Sequence, residues 1–302
     1  MKLNQVRDLI AVAERGSLRS AARYLGVAQP AITRSIRELE KELDVTLFER
    51  LPKGVVLTPM GEIFLQRAKA AQCELDRAKE ELHQYKGGSG GKVSVCLSTA
   101  SHIALLHNTL EPFRSRYREA LLDITEGLFA SAEAGLKGGE LDLYVGPLSE
   151  DKVSSEFIVE KLLDNERVVF CRKGHALADS DSLGDLCDAD WISTAVTLRA
   201  DAELSPLFQK YGFKTPRIAL YAHSALTMMT AAAGSDLLTM LPKQWVQFSW
   251  AQSLLHRIKV KEHLEAPAMY MVRRASLPLT PAAEYFGDMI RRASVALEAS
   301  AV

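Results

Sequence analysis

Gly16-Ser17-Leu18-Arg19-Ser20-Ala21-Ala22-Arg23-Tyr24-Leu25-Gly26-Val27-Ala28-Gln29-Pro30-Ala31-Ile32-Thr33-Arg34-Ser35-Ile36-Arg37 reads as a helix, a tight turn and a second helix. Between Glu14 and Glu38 there are five arginines and no acidic residue. A compact positive surface on a helix-turn-helix has duplex DNA as its natural partner. Val6, Leu9, Ile10 and Ala13 put an apolar stripe on a preceding helix, which Gly16 ends. Ser17 caps the next helix, whose inner face is Leu18, Ala21, Ala22 and Leu25. Paired alanines suit a close helix crossing. Gly26 allows the turn, and Pro30 fits the first turn of the third helix, where its missing N–H costs little. Ala31 or Ile32, then Ile36, Leu39 and Leu43, carry that helix's apolar face. Gln29, Thr33, Arg34 and Arg37 are left outward: the first two to reach base edges, the arginines to take bases or phosphates. An ordinary solvated helix has the same composition, so the next segment decides between the two.

That segment is Leu47-Phe48-Glu49-Arg50-Leu51-Pro52-Lys53-Gly54-Val55-Val56-Leu57-Thr58-Pro59-Met60-Gly61. Leu47 and Phe48 plug the helical core, and Pro52-Lys53-Gly54 turns between two short strands. Arg50 and Lys53 project as a wing toward the DNA backbone or minor groove, and Thr58-Pro59 opens a new helix. Phe48-Glu49-Arg50, Leu57-Thr58-Pro59-x-Gly61, Gln29-Pro30-Ala31 and the Gly16-Ser17…Ala21-Ala22 spacing together resemble the N-terminal domain of the LysR-type transcriptional regulators. The resemblance implies that the helix holding Gln29, Pro30 and Thr33 enters the major groove, while the wing at Arg50 and Lys53 touches the adjacent backbone. Ala28 departs from the family pattern, in which many members have a capping serine; weaker local capping is expected.

The rest of the chain is different in character. Its 302 residues carry a formal net charge of −1, so the positive surface is local. The length suits about two or three domains, and a hydrophobic share of 47% is ample for their cores. Cys73, Cys96, Cys171 and Cys187 form no CxxC pair and read as reduced thiols. Met1–Asp8 has no long apolar run, and no stretch approaches the roughly 20 apolar residues of a membrane span. A cytoplasmic protein without a membrane partner is expected.

From Pro59 to Lys86, Ile63, Phe64, Ala68, Ala71, Leu75, Ala78, Leu82 and Tyr85 recur at helical spacing. A helix this long cannot bury its stripe within a small winged domain, so a second copy or the chain's own C-terminal part must cover it. The resemblance implies antiparallel pairing into a homodimer and assembly of two dimers into a homotetramer. Gly87-Gly88-Ser89-Gly90-Gly91 then reads as a hinge that cannot be a rigid element and need not pack.

Beyond the hinge, strand-like and helix-like stretches alternate. Val93–Leu97, Leu121–Thr125 and Glu140–Val145 read as strands, the last broken by Gly146-Pro147, with helices over Ile103–Tyr117 and Ala130–Lys137. This is a βαβαβ unit. Arg167–Cys171, Asp190–Ser193, a polar loop, Ile218–Tyr221, a helix from Ser224 to Ala233 and Asp236–Pro242 form a second unit. Ala268–Val272 returns to the first, and a helix over Pro281–Leu297 closes the chain. The fold class expected is α/β with an N-terminal all-α winged helix-turn-helix. Its parts are the winged domain (1–58), a long linker helix for dimerisation (59–86), the hinge (87–91) and an effector-binding domain (92–302). That domain resembles the two-lobed, periplasmic-binding-protein-like domain of the same family, with lobe I at 92–162 and 268–297 and lobe II at 163–267.

Ligands in open α/β folds sit beyond the carboxyl ends of strands, often on helix N-termini. This selects Ser98, Thr99 and Ser101, then Thr125 with Glu126, Gly146 with Pro147, and Thr194, Thr197 and Arg199. Hydroxyls and free N–H groups suit a small organic anion, for which Arg199 would supply the counter-charge; His102 and His223 are alternatives. Helix capping explains the same hydroxyls. No nucleophile elbow is present, Ser98–His102 is not a dinucleotide fingerprint, and neither Cys171 with His175 nor His102 with His107 has a third ligand at metal spacing. Neither an enzyme, nor a metal, nor a cofactor beyond a small co-inducer is expected. The resemblance implies a regulator bound to promoter DNA, more often an activator than a repressor, with RNA polymerase as a further partner. A purely architectural DNA-binding protein would need no 200-residue pocketed domain.

Overall fold

The computed structural model describes residues 1–148, 153–194, 201–222 and 224–299. Helices α1 (Leu3–Arg15), α2 (Leu18–Leu25) and α3 (Gln29–Leu43) enclose one small core built on Leu9, Val12, Ala21, Ile32, Leu39 and Leu47. Ile32, not Ala31, takes the inner position on α3. Strands β1 (Phe48–Leu51) and β2 (Gly54–Leu57) pair antiparallel as the wing, with Leu51 opposite Gly54. Two tethers fix the wing's place. The Val55 N–H donates to the Gly16 carbonyl at 2.9 Å. Glu40 on α3 accepts from the Leu47 and Phe48 N–H groups at 2.8 and 3.2 Å.

Helix α4 (Pro59–Tyr85) starts at Thr58, whose hydroxyl accepts from the Gly61 N–H at 3.0 Å and donates to the Thr46 carbonyl at 2.7 Å. The expected apolar stripe divides. Phe64 and Ala68 pack into the winged domain's own core. Ala71, Leu75, Ala78, Leu82 and Tyr85, alternately four and three residues apart, share one exposed face. Cys73, Arg77, Glu80 and Gln84 lie on the opposite face, against the C-terminal domain.

The glycine run is only partly a hinge. Strand β3 (Gly90–Leu97) begins inside it, with Gly90 and Gly91 paired to Glu119 and Ala120. A parallel ladder needs backbone, not side chains, so these glycines can be rigid. Backbone conformation and close approach explain the glycine at position 91. Gly91 has φ +121°, and a Cβ there would lie 2.5 Å from the Gln84 amide nitrogen.

The sheet continues with α5 (Thr99–Ser101), a π-helical turn (His102–Leu106), α6 (His107–Arg116), β4 (Glu119–Glu126), α7 (Phe129–Gly138) and β5 (Leu143–Pro147). Then follow β6 (Phe157–Arg172), β7 (Asp190–Thr194), α8 (Asp201–Lys210), β8 (Arg217–Ala222), α9 (Ala225–Gly234) and β9 (Leu238–Pro242). A 3-10 turn (Lys243–Gln247), α10 (Ser249–Leu254), β10 (Leu255–Ile258), β11 (Glu265–Arg274) and α11 (Pro281–Ala299) complete it. Strand order is β4-β3-β5-β11-β6-β9-β7-β8, with β10 on β6. The βαβαβ unit is parallel throughout, since β3 pairs parallel with both β4 and β5.

Several expected boundaries shift. Gly146 and Pro147 do not break the third strand but end it, paired with Tyr270 and Met269. That strand begins only at Leu143, and Asp142 just before it pairs with Arg77. The short strand at Arg167–Cys171 is one part of the 16-residue β6. Glu160, Lys161 and Asp164 break its alternation, which hides its first half from a period-2 reading. Strand β6 pairs with β11 up to Glu166 and with β9 from Arg167, so it passes from lobe to lobe unbroken. The second crossing is β11, whose register shifts between Ala266 and Met269. Helix α8 follows the segment read as a polar loop.

Candidate nucleic-acid interface and ligand cleft

The exposed face of α3 forms one side of an open concavity lined by Gln29, Pro30, Thr33, Arg34, Arg37, Glu38 and Lys41. A second groove runs beside it between the start of α2 and the wing, lined by Ser17, Leu18, Arg19, Gln29, Arg50, Leu51, Gly54 and Val55. Gln29 borders both, so recognition helix and wing present one surface. Lys53 is exposed at the wing tip, outside either lining. Arg19, Glu38 and Lys41 join a surface that the sequence reading built without them. For Glu38 the signal was available: it stands four residues after Arg34, and the Arg34 Nε donates to its carboxylate at 2.7 Å. The Thr33 hydroxyl donates to the Gln29 carbonyl at 3.1 Å, one turn back on the same helix.

Ala28 occupies the N-cap of α3 with extended backbone and no side-chain cap. Ala28→Ser should therefore raise the stability of the winged domain by about 0.5–2 kcal/mol. Thermal melting of the two proteins checks this; an unchanged midpoint would mean that the α3 N–H groups already have partners.

In the ligand domain, β3 ends at a cluster of engaged hydroxyls. Ser98 caps α5 by accepting from the Ser101 N–H at 3.2 Å, and its own N–H donates to the Val145 carbonyl at 2.9 Å. The Ser101 hydroxyl donates to that same carbonyl at 2.7 Å and is fully buried. Ser98 is buried too, with its hydroxyl 2.9 Å from that of Ser101. Gly146 backs this cluster: a Cβ there would lie 2.9 Å from that of Ser98. The outward polar groups are Thr99, whose hydroxyl donates to the Glu126 carboxylate, and His102, bonded through Nδ1 to the Ser98 carbonyl at 3.1 Å. Thr125 is exposed at the end of β4, its hydroxyl 3.4 Å from the Val95 carbonyl. Thr197, Arg199 and His223 lie outside the described residues, as does the side chain of Thr194.

The lobes touch here. Ile103 on the π-helical turn packs against the core of lobe II, and that turn meets the 3-10 turn Lys243–Gln247. Gln244 on the latter is 6% exposed, and neither amide atom has a partner among the described residues. No sequence motif marks it. Among the described residues no group of three or more His, Cys, Asp or Glu could hold a metal ion, and no helix is long and apolar enough to cross a membrane.

Helix α4 is bolted to lobe I. Arg77 Nη2 lies 2.7 Å from Asp142 Oδ1, and Asp142 Oδ2 accepts from the Ser94 N–H at 2.7 Å. Glu74 lies 3.5 Å from Arg77 and also pairs with Arg274. The Gln84 amide donates to the Gly90 carbonyl at 3.0 Å and accepts from the Ala282 N–H at 2.9 Å. Burial pushes the Asp142 carboxyl above its ordinary range, while the Arg77 charge pulls against that rise.

A DNA-reading head, a coupling helix and a two-lobed ligand domain define a ligand-controlled transcription factor. The family model for the bacterial regulatory helix-turn-helix protein, lysR family, matches residues 3–62, and that for the LysR substrate binding domain matches residues 86–294. The chain belongs to the LysR family of DNA-binding transcriptional regulators, which are not enzymes. The regulator TdcA of Escherichia coli (strain K12) is 25% identical over 231 residues, covering 76% of this chain and 74% of that protein. PcaQ of Agrobacterium fabrum is 30% identical over 177 residues, 59% of this chain and 57% of that protein. Full-length CbnR bound to its target DNA superposes with a TM-score of 0.73 at 21% identity, covering 97% of this chain and 100% of that one.

Proposed function

We propose that the chain is a homodimeric activator of transcription whose output is set by a small organic anion held between the lobes. The observation that carries this reading is the division of α4 into two faces. The exposed stripe Ala71, Leu75, Ala78, Leu82 and Tyr85 suits a second copy of the helix, and the Arg77 face grips the ligand domain. One rigid rod thus links lobe movement to the spacing of two recognition helices. The resemblance supports a tetramer of two dimers, contact with RNA polymerase, a cytoplasmic location and activation over repression.

The ligand would enter beside Ser98, Thr99 and Ser101, with Thr125, Gly146 and Pro147 behind them; Thr197 and Arg199, selected for the same site from the sequence, lie outside the described residues. Ser98 and Ser101 shape the wall, their hydroxyls being engaged with one another and with Val145. Among the described groups of this rim the charged one is the Glu126 carboxylate, so the counter-charge for an anion rests on Arg199. Oxidation of a thiol is a poorer signal for this chain than ligand binding. Burial raises all four cysteines, Cys171 to about 11, whereas a sensor thiol needs a lowered value. Cys171 should therefore resist iodoacetamide at pH 8 in the folded protein and react on unfolding, as mass spectrometry would read. Rapid native labelling at Cys171 would reopen the redox reading.

Selection of genomic fragments by the purified protein tests the function. A consensus dyad upstream of an operon supports the reading, and that operon's metabolites then supply the candidate effectors. Binding without a consensus would favour an architectural role. Repression of the selected promoter on ligand addition would reverse the proposed sign.

A further inference from the structure

We propose that Arg34 and Glu38 act as one unit that reads a G·C pair, with Glu38 as the positioning residue that aims the Arg34 guanidinium at guanine. This deepens the reading of the chain as a sequence-specific regulator and rests on it. A guanidinium has two edges that can make paired hydrogen bonds, one through Nε and one through its two terminal nitrogens. The Arg34 Nε is taken by Glu38 at 2.7 Å, one helical turn along α3. What remains is the end bearing both terminal nitrogens, the fork that fits guanine O6 and N7 in the major groove. The arginine is 82% exposed, so nothing in the protein other than Glu38 limits where that fork turns.

Charge supports the same division of labour. Bonded to a carboxylate, Arg34 offers a phosphate little net attraction. Arg37 and Lys41, on the same concavity, have no ion-pair partner among the described residues and keep their full charge for the backbone. The hydrogen bond holds the Glu38 carboxyl below its ordinary range, so the partner stays ionised at neutral pH. Position fits as well. Arg34 stands on the second turn of α3 beside Gln29 and Thr33, where a helix entering the groove end-first meets base edges.

The test is selection from random duplexes by the full-length protein, its Arg34→Lys, Glu38→Ala and Glu38→Gln variants, and Arg37→Ala for contrast. Circular dichroism melts establish that each is folded. Arg34→Lys should reduce the preference for guanine at one position of each half-site by at least about fivefold, since a lysine ammonium is a point charge on a flexible stem without the planar fork that Glu38 holds in one orientation. Glu38→Ala should relax the same position while steepening the salt dependence by about one counterion, because the unit gains a net positive charge. Glu38→Gln, which keeps an oxygen at that position, should retain more of the preference than Glu38→Ala. Arg37→Ala should weaken all sequences alike. A uniform loss for Arg34→Lys with an unchanged consensus would make Arg34 a phosphate contact and overturn the proposal. An unchanged guanine preference in Glu38→Ala would overturn the role of Glu38. A wild-type protein that selects no consensus would overturn the regulator reading itself.

Discussion

Replacing Arg77 by alanine is expected to destabilise the effector domain by about 3–5 kcal/mol, the cost of leaving a buried charge without its partner. Asp142 is 5% exposed and has the Ser94 N–H as its other partner. Without the guanidinium, its carboxyl should rise further above the ordinary range than in the wild type. The pH dependence follows in sign. A carboxyl raised on folding favours the native state while it is protonated, and that contribution is lost as pH rises through its folded value. The variant should therefore lie closest to wild type in acid, and the gap should widen toward neutrality. Adding Asp142→Asn to Arg77→Ala should restore much of the loss, because removing both charges costs less than stranding one. Urea melts of the two single variants and the double variant, at acid and neutral pH, decide this. Additive losses in the double variant would show that the pair is not coupled. The double variant also isolates function: the protein should fold and bind DNA, yet its footprint should respond weakly to ligand, since α4 loses its grip on lobe I.

Gly61→Ala should disable the DNA-binding head while sparing the effector domain. A Cβ at Gly61 would lie 2.1 Å from the Leu47 carbonyl oxygen, a backbone atom that also accepts from the Thr58 N–H at 3.0 Å. Neither atom can turn away as a flexible side chain would. Helix α4 must shift from the entrance to β1, loosening the Thr58 cap and the seat of Leu47, for a loss of about 3 kcal/mol. That is a large part of what a domain of this size has to lose. Gly138→Ala is the control, since a Cβ there meets nothing within 4 Å. Operator binding by the Gly61 variant should fall below detection at concentrations that saturate wild type, while the effector domain melts normally. Retained binding would mean that α4 can shift without disturbing the head.

The head was legible in the sequence because its determinants are local. Ser17, Gly26, Pro30 and Thr58 set caps and turns within a few residues, and the buried Ile32, Ile36 and Leu39 keep helical spacing. The surface of α3 was legible for the same reason, apart from Glu38, which bounded the basic stretch and was not read as part of it, and Lys41 one turn further on. The coupling face of α4 was not legible. Glu74 and Arg274 stand 200 positions apart, and Arg77 looks like any solvated charge until the fold brings Asp142 to it. The crossing strand β6 hid behind its charged residues, and the glycine run concealed a strand start, since composition cannot distinguish a loose glycine from one pressed against Gln84. In the cleft, serines after a strand signalled a helix start correctly, but whether a hydroxyl faces ligand or carbonyl is a tertiary fact.

The central claim is that two copies, joined along α4, place two recognition helices on one operator. Hydroxyl-radical footprinting of the purified protein on its best-selected fragment tests it most directly. Two protected half-sites related by a dyad, on one face of the duplex and separated by about one helical turn or a multiple of it, are the predicted result. A single protected patch without a dyad, spreading as protein is added, would contradict it.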